Sequence, residues 1–158
     1  QYSGATPHAA MTATSKGAHG FAGYKKDLFA IWAAHRPAYV ATVIGTEPLD
    51  LARKIETAKS LSGPRMIIAL APCPTGWDYD PRESVNIGKL AVKTGIWPLK
   101  EYRDGMTVHS KVPRERLPVE DYLKVQGRFA HLFSPRRNDA LLAELQQKVD
   151  TYWDGVAS

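Results

Sequence analysis

Two uninterrupted apolar runs dominate the pattern of hydrophobic and polar positions along the chain. Residues 38–45 and 65–71 are both continuous and apolar, which is typical of strands that are buried on both faces of a sheet. The sixteen residues between them, 46–61, alternate apolar and charged positions at helical spacing. A strand, a helix and a strand with short connections predict a βαβ unit, in which the two strands are parallel and the crossover is right-handed.

The helix between these strands shows its boundaries clearly. Leu51, Ile55 and Ala58 form its apolar stripe, and charged side chains occupy the other positions. Thr46 stands where a capping hydroxyl would accept a backbone hydrogen bond, and Pro48 suits the first turn. We therefore expect an amphipathic helix that begins next to Thr46.

Further helices are predicted on both sides of the βαβ unit. They cover residues 25–36, 82–95, 117–125 and 134–155. In the first of them, Leu28, Ile31 and Trp32 share one face at helical spacing. Residues 96–112 predict a β-hairpin, because Asp104-Gly105 is a strong two-residue turn signal. The fold class predicted is therefore α/β: a parallel sheet with flanking helices, followed by a C-terminal hairpin and helices.

Composition limits the function classes that the chain can serve. Its 158 residues are 44% hydrophobic and 23% charged, as in an ordinary soluble domain. No apolar run approaches the ~20 residues that span a bilayer, so we expect no membrane association. The net charge is +5. The sequence lacks the basic motifs with interleaved aromatic residues that favour nucleic-acid binding, so no nucleic-acid partner is expected.

The ends and the cysteine count suggest a compartment and a context. The chain opens on Gln1 rather than Met and lacks the order of a signal peptide, so we expect that it starts inside a larger protein or was processed. A single cysteine excludes an intramolecular disulfide and fits a reducing compartment, which predicts a cytoplasmic protein.

That single cysteine, Cys73, lies in the segment APCPTGW directly after the second predicted strand. Loops at the carboxyl ends of parallel strands are where open α/β sheets bind ligands. Pro72 and Pro74 restrict the backbone on both sides of the thiol. Three interpretations are open at this point: a buried structural thiol, a nucleophile supported by a base, or a metal ligand whose partners lie elsewhere.

Two motifs carry a resemblance to a known family. The segments QYSGATPHAA (1–10) and LAPCPTGWDYDP (70–81) resemble the thiamine-pyrophosphate-binding β subunit of 2-oxoacid:acceptor oxidoreductases, of which the pyruvate:ferredoxin group is the best known. Further segments are similar to the family in the same order: KDLFAIWAAHR, GPRMIIALAPCPTGW, KLAVKTGIWPL and PVEDYLKVQGRF. The resemblance covers nearly the whole chain but only about the C-terminal half of such a subunit.

The resemblance implies a role for Cys73 and a position for three N-terminal residues. Cys73 would be one of four thiolate ligands of a 4Fe–4S cluster, with the other three, including a CxxC pair, upstream of this chain. The elements that bind magnesium and pyrophosphate would also lie upstream. Gln1, Ser3 and Thr6 match the residues that follow them, so they are expected beside the thiamine pyrophosphate. No catalytic residue is assigned.

The resemblance also implies an activity and a domain organisation. Such a complex oxidatively decarboxylates a 2-oxoacid to an acyl-CoA with thiamine pyrophosphate, and passes electrons through iron–sulfur clusters to ferredoxin or a similar acceptor. Residues 1–97 would complete the thiamine-binding-type domain, and residues 98–158 would be a hairpin and helical extension. Coenzyme A and other subunits of the complex are the implied partners, and the isolated chain is expected to be inactive.

Two alternatives come from other classes of protein. The first is a non-catalytic α/β interaction module that keeps the fold without the cofactors. The second is a thiol-dependent enzyme that uses Cys73 directly as its nucleophile.

Overall fold

The computed structural model describes residues 5–12 and 20–157, with the backbone alone at Ala157. The described residues form two compact units. The first, called here the helical unit, comprises the described parts of residues 1–26, 72–96 and 115–158, and the second, the sheet unit, comprises residues 27–71 and 97–114. The expected division at residues 97/98 refers to the complete subunit and stays a prediction.

The sheet unit contains a four-stranded mixed sheet and two helices. Its elements are α1 (Leu28–Ala34), β1 (Tyr39–Ile44), α2 (Pro48–Ser60), β2 (Arg65–Leu70), β3 (Leu99–Arg103) and β4 (Met106–Lys111). The strand order is β2-β1-β3-β4. Strands β1 and β2 are parallel, as predicted, while β3 pairs antiparallel with both β1 and β4. The α/β fold class is therefore confirmed, and the hairpin extends the sheet.

Burial differs sharply between the two parallel strands. Every residue of β1 is buried, because that strand pairs with β2 and β3 and also packs against α1 and α2. In β2, Arg65 and Ala69 are exposed and the other residues are half-buried. Among the described residues β2 pairs with β1 alone and forms an edge, so the prediction of two covered faces is confirmed for β1 and wrong for β2.

The start of α2 differs from the prediction by one residue. Pro48 is its first residue, as proline geometry favours. The capping position therefore falls on Glu47, whose side chain makes no capping hydrogen bond, and the assignment of Thr46 as the cap is wrong. Glu47 instead accepts hydrogen bonds from Lys111 Nζ at 3.0 Å.

Helix α1 begins at a true capping residue, since Asp27 accepts the backbone N–H of Ala30 at 3.0 Å. Its inward side chain is Phe29, which is buried. The face that the sequence groups together, formed by Leu28, Ile31 and Trp32, is exposed within the described structure.

The β-hairpin turns where the sequence predicts. Asp104 and Gly105 have φ values of 53° and 80°. Positive φ at both central residues is the requirement of a type I′ turn, whose twist matches that of the flanking strands.

The helical unit consists mainly of helices that pack around a common core. Its elements are α3 (Pro74–Trp77), α4 (Ser84–Lys93), α5 (Val119–Leu123) and α6 (Asp139–Ala157), with 3₁₀ helices at Pro81–Glu83 and Gly127–Leu132. Trp153 of α6 is buried and its indole N–H donates to the carbonyl oxygen of Gly95 at 3.0 Å. A Cβ at Gly95 would lie 2.3 Å from that indole nitrogen, so this approach requires glycine. The predicted helices exist, mostly with shorter bounds.

Within the described residues, no helix combines the length and apolarity that a membrane crossing needs.

Candidate functional site

Cys73 lies three residues after the end of β2, at the capping position of the short helix α3. Its carbonyl oxygen accepts the backbone N–H of Trp77 at 2.9 Å, which closes the turn. The residue is exposed in the described structure, which does not favour the interpretation as a buried structural thiol. The predicted position, in the loop after a parallel strand, is confirmed.

The surroundings of the thiol are open on one side. A Cβ built at Gly76 would be 3.5 Å from Cys73 Sγ, in ordinary contact with it, so glycine leaves that face of the sulfur uncovered. In the described part of the chain, no three His, Cys, Asp or Glu side chains come together in a way that could hold a metal ion. Cys73 can therefore contribute one ligand to a metal site but cannot build one with its described neighbours.

The far end of this loop is fixed by a close backbone approach. Asp78 adopts a left-handed conformation with φ of 58°, and its N–H donates to the carbonyl oxygen of Pro74 at 2.9 Å. Its own carbonyl oxygen accepts the N–H of Gly127 at 2.7 Å. A Cβ at position 127 would lie 2.2 Å from Asp78 Oδ2 and 2.8 Å from Asp78 Cβ, so glycine is required there.

The next residue, Arg128, covers the aromatic side chain of the same loop. Its guanidinium carbon lies 3.9 Å from the ring centroid of Trp77, within the range of a cation–π interaction. Arg128 Nε donates to Gln126 Oε1 at 2.8 Å, and Nη2 donates to the hydroxyl of Tyr122 at 3.3 Å. Gln126 also donates to the carbonyl oxygen of Tyr122. Arg128 is only 7% exposed, so this is a buried polar cluster.

The electrostatics of this cluster are unusual for a buried cation. Burial lowers the pKa of Arg128, although the nearby Tyr122, Tyr79 and Cys73 oppose the shift. An arginine nevertheless stays charged, because its ordinary pKa lies far above neutral pH. Burial also raises the pKa of Tyr122, so that hydroxyl is neutral. In the described structure, the guanidinium is therefore hydrogen-bonded by neutral side chains and has no carboxylate partner.

The described N-terminal residues form a small paired structure in the same unit. The N–H of Ala9 donates to the carbonyl oxygen of Phe21 at 2.8 Å, and the N–H of Phe21 donates to Ala10 at 2.9 Å. Gly20, with φ of 68°, makes this pairing possible, since a Cβ there would lie 2.2 Å from the carbonyl oxygen of Ala9.

Of the three residues expected beside a cofactor, the structure describes one. Thr6 is 8% exposed, in the segment 5–12, whereas Gln1 and Ser3 lie outside the described residues. The N–H of Met11 in that segment donates to the carbonyl oxygen of Arg128 at 2.8 Å. The N-terminal segment and the Cys73 loop are thus both hydrogen-bonded to the Gly127-Arg128 dipeptide.

Reasoning from the sequence missed Arg128. Its segment, QGRFAHLF, follows the helix predicted to end near Val125 and contains the turn predicted at Gly127. An arginine and a tryptophan far apart in the chain carry no spacing that would indicate their stacking.

Comparison with known proteins assigns the class. The chain belongs to the family of β subunits of the 2-oxoacid:acceptor oxidoreductases, and the resemblance seen in its motifs is confirmed. Pyruvate synthase subunit PorB of Methanocaldococcus jannaschii is 41% identical over 153 residues, which are 95% of this chain and 50% of that protein. No family model matches the chain.

Two further relatives show the breadth of the family. Pyruvate synthase subunit PorB of Thermotoga maritima is 38% identical over 157 residues, or 98% of this chain and 48% of that protein. Ketoisovalerate oxidoreductase subunit VorB of Pyrococcus furiosus is 39% identical over 137 residues, or 84% of this chain and 44% of that protein. The chain spans about half the length of the curated relatives that it matches.

Proposed function

We propose that this chain is part of a cytoplasmic complex that oxidatively decarboxylates a 2-oxoacid to an acyl-CoA and passes the electrons to ferredoxin or a similar acceptor. The observation that carries the proposal is the exposed Cys73 at the start of α3, in a chain that is 38–41% identical to PorB subunits. The relatives are named for pyruvate and for ketoisovalerate, which supports the 2-oxoacid class of substrate.

Cys73 is the residue through which the chain would bind a 4Fe–4S cluster. Iron–sulfur clusters take thiolate ligands, and Cys73 presents an exposed sulfur with one side left open by Gly76. Such a cluster would accept the electrons that the oxidation releases. The other three thiolates would come from outside these 158 residues, which contain one cysteine.

We assign Gln1, Ser3 and Thr6 to the surroundings of thiamine pyrophosphate and its magnesium ion. Of these three residues, Thr6 is the one that the structure describes. The cofactor supplies the decarboxylation chemistry, and the protein binds it and excludes water. Thr6 is buried in a segment whose backbone is bonded to Arg128, which supports a role as a fixed wall. These residues are assigned proximity to the cofactor and no catalytic step.

The test of Cys73 uses the complete complex that contains this subunit. Cys73→Ser is expected to remove one 4Fe–4S cluster, seen as a loss of iron and of its EPR signal, and to abolish 2-oxoacid-dependent reduction of a viologen dye. Thr75→Ala is the matched control, because Thr75 is exposed in the same loop and lacks a thiolate. Retention of all clusters in the serine variant would instead favour a non-catalytic interaction module.

Alkylation separates a cluster ligand from a nucleophile. In the complete complex, Cys73 is expected to resist iodoacetamide until the cluster is removed, because a coordinated thiolate is not free to react. Rapid labelling of Cys73 in the intact complex would contradict its assignment as a cluster ligand and would favour a thiol-dependent enzyme.

A further inference from the structure

We propose that Arg128 positions the Cys73 loop and provides the positive charge that raises the reduction potential of the cluster bound there. This inference rests on the proposed function, since it concerns the same cluster. It assigns a role to Arg128, which supplies no ligand and for which the family-like segment PVEDYLKVQGRF indicated no function.

The first observation is an uncompensated buried charge. Arg128 is 7% exposed. In the described structure its guanidinium donates hydrogen bonds to Gln126 and Tyr122, which are both neutral. Removing a charge from water costs free energy unless an opposite charge is nearby. A cluster held by four thiolates carries net negative charge, and Cys73 caps the short helix whose Trp77 stacks on the guanidinium. A cluster bound at Cys73 would thus place negative charge in the loop that Arg128 contacts.

The second observation is mechanical. The guanidinium stacks on Trp77 at 3.9 Å, and Trp77 ends the helix that begins next to Cys73. The N–H of Gly127, the residue before Arg128, donates to the carbonyl oxygen of Asp78 at 2.7 Å. The loop is therefore held by a stacking contact and a backbone hydrogen bond that come from adjacent residues. A planar guanidinium suits such stacking, whereas the point charge of a lysine does not.

The sign of the electrostatic effect follows from the electron count. Reduction adds one negative charge to the cluster, and a nearby cation stabilises the reduced form more than the oxidised form. Cluster potentials depend on such local charges and on solvent exposure. Removing the charge of Arg128 should therefore make the cluster harder to reduce.

The experiment compares Arg128→Gln, which removes the charge, with Arg128→Lys, which keeps the charge and loses the planar stack. The potential of the Cys73-dependent cluster is measured by EPR-monitored redox titration of the complete complex. For Arg128→Gln we expect an equilibrium constant for reduction about tenfold lower, which is a shift of about 59 mV to more negative potential. Arg128→Lys should stay nearer the wild-type potential. Both variants should show faster hydrogen exchange at residues 73–79.

Arg137→Gln is the matched control. Arg137 is also in the helical unit, but it is half-exposed and paired with Glu120 and Asp139 on the surface. It should change neither the potential nor the exchange of the loop. An Arg128→Gln complex with wild-type potential would overturn the electrostatic role, and unchanged exchange in both Arg128 variants would overturn the positioning role.

Two outcomes separate this inference from the proposed function. If Cys73→Ser leaves every cluster in place, the proposed function fails and the inference fails with it. If the cluster depends on Cys73 but its potential ignores the charge at position 128, the inference alone fails. Should Arg128→Gln not assemble, Arg128→Lys decides: faster loop exchange with a near-wild-type potential supports the inference, and wild-type exchange contradicts it.

Discussion

The ammonium of Lys54 is fully buried and lies 2.7 Å from Asp50 Oδ2, one helical turn away on α2. It also donates to the carbonyl oxygen of Thr42 at 2.9 Å. Burial lowers the pKa of Lys54, and the interaction with Asp50 opposes that shift. The carboxylate of Asp50 keeps some solvent contact and also accepts a hydrogen bond from Arg53 at 3.3 Å. The lysine therefore depends on its partner more than the aspartate does.

We expect Asp50→Asn to destabilise the protein by about 3 kcal/mol, because it leaves the buried ammonium of Lys54 without its counter-charge. Lys54→Met should cost less, since methionine fills a similar space and Asp50 can be solvated. Denaturant unfolding of the full chain, followed by circular dichroism, gives both values. A larger loss for the methionine variant would contradict this ranking.

A second prediction concerns the loss of stability at low pH that protonation of Glu101 causes. Burial opposes ionisation of Glu101, but hydrogen bonds from Arg53 at 2.6 Å and Tyr39 at 2.6 Å hold its pKa below the ordinary value. A carboxyl group whose pKa is lower in the folded state adds stability above its unfolded pKa of about 4.3, and that stability disappears as pH falls through the folded pKa.

Glu101→Gln should therefore lower the melting temperature near neutral pH and flatten its decline below about pH 4. Thermal melts of the full chain over a pH series measure this. Glu56→Gln is the control, because Glu56 is an exposed carboxylate paired with Lys59 on the surface. Wild-type and Glu101→Gln curves that run parallel down to low pH would show that the Glu101 contacts contribute nothing to acid stability.

The hairpin turn gives a third prediction. Gly105→Ala should destabilise the protein by about 1–2 kcal/mol, because the turn holds that residue at a φ of 80°, in the left-handed region that costs other residues this much. Asp104→Asn should be close to neutral, since asparagine is favoured at the first position of a type I′ turn. Equilibrium unfolding measures both changes. An alanine variant as stable as the asparagine variant would contradict the turn assignment.

The contact between Asp78 and Gly127 gives a fourth prediction, and it includes its own rescue. Gly127→Ala should displace the Cys73 loop, because the new Cβ would lie 2.8 Å from Asp78 Cβ. Adding Asp78→Gly removes the clash and also suits the left-handed conformation of that residue. Hydrogen exchange at residues 73–79 should rise in the single variant and return toward wild type in the double variant.

Gly155→Ala is the matched control, since nothing lies within 4 Å of a Cβ built there. It should leave the loop unchanged and stabilise α6 by up to about 1 kcal/mol, as alanine does within a helix. If the double variant is no better than Gly127→Ala, the close approach is not what places the loop.

Local patterns were sufficient for most elements of the fold. The apolar runs predicted β1 and β2 and their parallel pairing, and Asp104-Gly105 predicted the hairpin, because each signal acts over a few adjacent residues. The pairing of β3 with β1, for example Val40 opposite Tyr102, could not be predicted, since it joins distant segments that share no local signal. The exposed face of α1 shows the same limit: spacing groups side chains but does not say which group packs inward.

The candidate site divides in a similar way. The position of Cys73 follows from the order strand, loop and helix, which is encoded nearby in the chain. The stacking of Arg128 on Trp77 depends on how the whole helical unit packs, and no motif reports it. A buried arginine is also rare enough that burial would not be assumed from sequence.

The Gly127-Arg128 dipeptide links two distant parts of the helical unit, and both links join main-chain atoms. The N–H of Gly127 binds Asp78, and the carbonyl oxygen of Arg128 binds Met11. Neither bond needs a particular side chain at position 128. Exchanging the arginine therefore removes charge or stacking but leaves both main-chain bonds in place, so a Cys73 loop that has lost its contact with the guanidinium would still be tethered to the N-terminal segment through the backbone.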